Sequence, residues 1–288
     1  MTIMTAWWLA SALLLQASAE LDDLREPKQE ILAAIEDSPF EQPIHLTSKE
    51  TSDSAHGHVN AIVDTPFDQL SDYLGNAADW CEILFLHLNV KSCVYEAREE
   101  DATLRAYIGR KHYQEPHEAE RSELDMHVHT LQEDAMRIDL EADSGPYGTR
   151  EFYIRLLAIP LDEKQSLLQF QYSAGFGAIA RTAMDVYFAV AGGDRIGFTI
   201  ENDDEESPEY IGGLRGMIER NSVRFYLALQ AYLEKPEADQ LEDRLLRWHD
   251  LTEQHPEQLR ELDRDTYLSQ KLEERENQER LQDQETDR

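Results

Sequence analysis

The chain has 288 residues, 41% of them hydrophobic and 9% aromatic, enough to bury one substantial core and leave long polar ends. Its 59 Asp and Glu against 27 Lys and Arg give a formal net charge of −32. Such a surface repels nucleic acid and anionic lipid headgroups, so no nucleic-acid partner is expected.

At the start, residues 6–15 form an uncharged apolar run, and Gln16-Ala17-Ser18-Ala19 follows with the small-x-small pattern that signal peptidases accept. Residues 1–5 carry no Lys or Arg, which is weak for a signal segment. The expectation is a signal peptide over 1–19, cleaved after Ala19, and a periplasmic or secreted mature protein. A retained anchor would need about 20 apolar residues, and Glu20, Asp22 and Asp23 cut this stretch short. No later segment is long and apolar enough to cross a bilayer, so no stable membrane span is expected. The only cysteines are Cys81 and Cys93. In an oxidising compartment a disulfide between them is the natural reading, the alternative being two small buried thiols.

Residues 20–54 are acidic and interrupted by Pro27, Pro39 and Pro43, the composition of a linker, with one helix-compatible stretch at 28–35. Alternation begins at His56-Gly57-His58-Val59-Asn60-Ala61-Ile62-Val63 and predicts a strand. Thr65-Pro66 then opens a helix carrying Phe67, Leu70 and Leu74 on one face, which Gly75-Asn76 ends. A second helix follows with Trp80, Ile83 and Leu84. Six strands of an antiparallel meander are predicted near 88–96, 102–111, 122–132, 136–142, 150–161 and 165–172, with turn residues between them. A helix over 178–191 and a short strand at 196–200 come next. The clearest helix is 209–233, where Ile211, Leu214, Ile218, Asn221, Phe225, Leu229 and Tyr232 recur at spacings of three and four. A tail at 236–288 is charged and helix-prone, predicted to dock loosely or extend and to fray after Leu272.

Strand, two helices, meander and long final helix, with Gly57 to Phe67, Trp80-Cys81-Glu82-Ile83 and the helix from Gly213, make the chain resemble the START-like superfamily of lipid-transfer and polyketide-cyclase-like proteins over 55–235. The resemblance implies an α+β helix-grip fold, a curved antiparallel sheet wrapped around the long helix. It further implies a hydrophobic small molecule or lipid held between sheet and helix. An alternative is a non-catalytic interaction module whose tail recruits an envelope protein, and a third reading is an enzyme of the cyclase or hydrolase type.

Candidate ligand contacts are Leu214, Ile218, Asn221 and Phe225 on the long helix, Tyr153 and Arg155 on one strand, and Tyr172 on the next. Asn221 interrupts an apolar face, so its amide must find a partner in the protein or on a ligand. Arg155 either selects a carboxylate or phosphate headgroup or pairs with a surface acid. Which face of its strand meets the cavity is open, because Phe152, Ile154 and Leu156 line the other side. His127 and His129, with Asp125, project from one strand face, yet four well-placed ligands are not visible and no metal site is expected. His56 and His58 are read in the same way. No GxSxG, P-loop, HExxH or strand-linked GxGxxG occurs, so no catalytic residue or cofactor is assigned.

Overall fold

The computed structural model describes residues 27–98, 101–132, 134–190, 195–202 and 208–287, so the expected signal segment lies outside the described residues. Alternating apolar residues build one sheet of eight antiparallel strands in the order β1-β2-β8-β7-β6-β5-β4-β3. These are β1 (Ile44–Glu50), β2 (Ser54–Val63), β3 (Val90–Ala97) and β4 (Asp101–Ile108), followed by β5 (Glu120–Gln132), β6 (Ala135–Ser144), β7 (Thr149–Pro160) and β8 (Ser166–Phe176). In β2 every second residue from Ala55 to Val63 is buried, the signature of a strand with one face on a core. Ile138, Leu140, Ile154, Leu156, Phe170 and Tyr172 carry the same face across the sheet.

Between β2 and β3 lie α2 (Phe67–Leu74) and α3 (Ala77–Leu86). Helix α2 begins after Pro66, one position later than predicted. Asn76 caps the following helix, accepting from the Asp79 N–H at 3.0 Å, so it starts a helix rather than ending one. Cys81 of α3 and Cys93 of β3 form the expected disulfide, with a Cα–Cα distance of 5.1 Å. After β8 come α4 (Ala178–Val190) and a two-stranded ribbon of β9 (Ile200–Asn202) and β10 (Glu209–Tyr210). The ribbon claims residues predicted as the start of the long helix. That helix, α5 (Gly213–Glu234), therefore begins at Gly213, whose φ of 60° is a conformation that glycine adopts without steric cost.

Helix α5 lies on β1, β2 and β8. Close approach is possible because β2 offers Gly57, where a Cβ would stand 2.2 Å from Ser222 Oγ. A curved antiparallel sheet gripping one long helix is the helix-grip fold.

Two expectations are corrected at the ends. The acidic arm is not simply a linker: α1 (Lys28–Glu36) sets Ile31 and Ile35 against Leu157, Ile159 and Leu167 on the sheet's outer face, and β1 pairs with β2. The tail is neither loose nor frayed. Its α6 (Leu241–Thr252), α7 (Pro256–Leu259) and α8 (Arg264–Thr286) contribute Leu245, Trp248, Leu251, Leu259 and Tyr267 to the core. Trp248 donates to the Arg224 carbonyl at 3.1 Å and Tyr267 to the Leu86 carbonyl at 2.7 Å.

Helix α8 also covers the open edge of the sheet at β3. Gln278 accepts from the Cys93 N–H at 2.7 Å, and Gln282 accepts from the Tyr95 N–H at 2.9 Å while donating to the Tyr95 carbonyl at 3.1 Å. Lys271 donates to the Val90 carbonyl at 2.6 Å. These side chains stand where a ninth strand would, and the edge loses its capacity to pair. Beneath them Glu274, 0% exposed, bridges Lys91 at 2.9 Å and Lys271 at 2.8 Å. Among the described residues, no helix is long and apolar enough to cross a membrane.

Candidate functional site

A hollow of about 20 Å3 lies between the concave face of the sheet and the helices above it. Leu84 of α3, Val90 of β3, Ala106 and Ile108 of β4, Leu124 of β5, Phe152 of β7 and Phe225 of α5 make it apolar, and Ser122 is the single polar lining residue. A water-sized group needs about 10–15 Å3, whereas pockets for drug-sized ligands run to about 300–1,000 Å3. A larger guest must therefore displace side chains, and the aromatic rings at the wall are the groups placed to move.

Those rings form a continuous stack. Phe152 meets Tyr172 edge-on at 5.3 Å, Tyr172 stacks on Phe225 at 5.4 Å, and Phe225 stacks on His87 at 4.6 Å. Asn221, one helical turn before Phe225, hydrogen-bonds the Tyr172 phenol. Burial outweighs that bond and pushes the phenol well above its usual range, so Tyr172 stays neutral. Phe225 is thus both a wall of the hollow and the spacer between two polar rings.

His87 sits at the end of α3, 4% exposed, inside the apolar run Phe85-Leu86-His87-Leu88. The Asn89 N–H donates to its Nδ1 at 3.2 Å, so the neutral ring carries its proton on Nε2. That Nε2 has no hydrogen-bond partner among the described residues. Burial, then the nearby charge of Arg224, Lys271, Lys91 and Lys111, holds His87 well below the ordinary histidine range. Arg224, also 4% exposed, gives Nη2 to Glu261 at 3.0 Å and to the Leu259 carbonyl at 3.2 Å, but its Nε is likewise buried without a partner.

Of the residues singled out from the sequence, Phe225 lines the hollow and Tyr172 and Asn221 stand directly beside it. Ile218 and Leu214 are buried on the same helix, but Leu214 lies eleven residues before Phe225, about 16 Å along the axis, and neither lines the hollow. Tyr153 and Arg155 are corrected outright. Ile154 and Leu156 point into the core, so strand alternation turns Tyr153 and Arg155 to the outer face. There the Tyr153 hydroxyl donates to Asp139 at 2.7 Å and Arg155 Nε to the same oxygen at 2.8 Å, with Arg137 on the other oxygen at 2.8 Å. Arg155 therefore pairs with an acid, the second of its two readings.

His127 and His129 share that outer surface, and His127 Nδ1 meets Asp101 at 2.7 Å. Among the described residues no group of three His, Cys, Asp or Glu is placed to hold a metal ion. His87 and the lining residues of α3, β3, β4 and β5 escaped the sequence reading. A lone histidine within an apolar run was the one signal that pointed to His87.

No protein-family model and no curated protein matches the chain. Among solved structures it is similar to the Zhui aromatase/cyclase from Streptomyces sp. R1128, at 12% identity over 47% of this chain and 85% of that one, with a TM-score of 0.35. It is similar to a STAR-related lipid transfer protein from Xanthomonas axonopodis, at 11% identity over 51% and 85%, TM-score 0.37. A conserved protein of unknown function from Enterococcus faecalis covers more, 87% of this chain and 97% of its own, at 10% identity and a TM-score of 0.38. The helix-grip architecture rests on the strand order and on α5 across the concave face.

Proposed function

We propose that this protein is an exported binder of a hydrophobic or amphipathic small molecule, held between the sheet and α5 and carried through an aqueous compartment. The observation that carries the reading is the apolar hollow lined by Phe225 and Phe152 together with residues of α3, β3, β4 and β5. A guest there gains about 25 cal/mol for each Å2 of apolar surface hidden from water. Because the hollow is small, binding requires the Phe225 ring to swing aside. Export is part of the proposal, supported by the apolar run before Ala19 and by the Cys81–Cys93 disulfide.

Two measurements test it. Expression in a bacterial host followed by fractionation and N-terminal sequencing should place the mature chain outside the cytoplasm, beginning at Glu20. Titration with N-phenyl-1-naphthylamine should show saturable 1:1 fluorescence enhancement, stronger in Phe225→Ala, which widens the hollow, and weaker in Ala106→Val, which narrows it. No saturable binding by either the natural chain or Phe225→Ala would sink the binder reading.

A further inference from the structure

The polar groups behind Phe225 form a pattern that the packing of the fold does not use. Every buried donor costs free energy when it lacks an acceptor, so such groups are rare and mark places where something else supplies one. Here two occur within one charged neighbourhood: the Nε2–H of His87 and the Nε–H of Arg224. The Asn89 bond fixes the His87 tautomer, so the unsatisfied atom is a donor and calls for an acceptor.

Charge points the same way. Arg224, Lys111, Lys91 and Lys271 all act on His87. Among the described residues two carboxylates pair with them: Glu261 takes Arg224 and Lys111, and Glu274 takes Lys91 and Lys271. Arg195 adds a further cation 3.7 Å from Glu261. In a chain with a formal net charge of −32, three buried cations, Arg224, Lys91 and Lys271, and two partly exposed ones, Lys111 and Arg195, thus gather around one neutral histidine. Uncompensated buried charge is costly, and an anion at this place would relieve it.

We infer that the hollow takes an amphipathic ligand with a carboxylate head, the head accepting from His87 Nε2–H and Arg224 Nε–H while the apolar body lies against Leu84, Leu124 and Phe152. This assignment rests on the binder reading above and names its ligand class. Phe225 controls access, since its ring touches both the hollow and the face of His87. On the far side of that ring, Tyr172 and Asn221 already satisfy one another, so the unmet donors lie on the His87 side.

The test uses the whole mature chain and three twelve-carbon probes below their micelle concentrations, followed by calorimetry: dodecanoate, dodecanol and dodecylammonium. Dodecanoate should bind at least about tenfold more tightly than dodecanol, as expected for hydrogen bonds to a charged acceptor, and dodecylammonium should bind most weakly. His87→Phe keeps a ring stacked on Phe225 and should weaken dodecanoate by at least about tenfold, narrowing its lead over dodecanol. Nitrogen-15 NMR of the unsubstituted protein gives a readout independent of that variant, because the His87 Nε2–H resonance should move downfield with dodecanoate and stay in place with dodecylammonium. Equal affinity for the three heads, or an unmoved His87 resonance at saturating dodecanoate, overturns the headgroup assignment and leaves hydrophobic binding standing. Failure of every probe on both the natural chain and Phe225→Ala overturns both.

Discussion

The sheet is closed by two long helices of opposite chemistry. Helix α5 meets the concave face mainly through aliphatic and aromatic side chains, with Glu219 and Arg215 bonded to Ser48 of β1 at one end, and leaves a hollow of about 20 Å3 nearby. Helix α8 meets the β3 edge through Lys271, Glu274, Gln278 and Gln282, each bonded to a backbone group or a partner charge. Apolar contact is non-directional and tolerates a gap, whereas a buried backbone N–H or carbonyl requires its own partner. The polar seam is therefore the more exacting, and the apolar seam is the one that leaves a gap.

The contrast is sharpest at Glu274. Glu274→Leu would strand Lys91 and Lys271, 1% and 2% exposed, as buried cations without a counter-charge, and should cost about 3–5 kcal/mol in urea unfolding. A pH series probes the same triad. Burial, opposed by Glu274, brings Lys271 down to about 8 from its ordinary 10.5, so the folded state gives up that proton first. The unfolded chain then holds more protons between about pH 8 and 10.5, and the Lys271 contribution to stability rises across that window by about 3 kcal/mol. Measured against Lys271→Met, the natural chain should gain ground over this range, and a gap that stays flat would contradict the buried-lysine account.

Breaking the disulfide tests the join between the two seams, since it ties α3, a wall of the hollow, to β3, the capped edge. Replacing Cys81 and Cys93 by Ser should cost roughly 3 kcal/mol from the unfolded-chain entropy of the short loop alone. Gln278→Ala removes one edge partner and leaves the Cys93 N–H unsatisfied, a loss of about 1–3 kcal/mol, with faster amide exchange at Cys93 as its local signature. The smallest change should come from the apolar seam. Ala106→Val adds volume beside the hollow and should alter stability by less than about 1 kcal/mol, while weakening uptake of the naphthylamine probe.

The meander, the helix pair after the first strand and the apolar stripe of α5 were legible because each buries one face and so carries a period of two or of 3.6 residues. Phe225 was legible for the same reason. The helical character of α8 was legible too, but its docking on the β3 edge was not, since it is held by glutamine, lysine and glutamate, residues that in a sequence look like a solvated surface. Strand β7 misled for another reason: α1 covers part of the outer face, so Leu157 and Ile159 are apolar there just as Ile154 and Leu156 are within. With both faces apolar, alternation cannot say which way Tyr153 and Arg155 turn.

By itself, then, the amino-acid sequence determined the order of elements from β2 to β8, the two cysteines able to pair and the face of α5 that meets the sheet, because these follow from local periodicity and from the count of two cysteines. Tertiary structure alone decided that the acidic arm supplies an edge strand, that the charged tail caps the opposite edge, and that His87 faces Phe225 with a spare donor. Each of these depends on residues far apart in the chain sharing a hydrogen bond, a charge or a ring contact, and no local pattern encodes such a meeting.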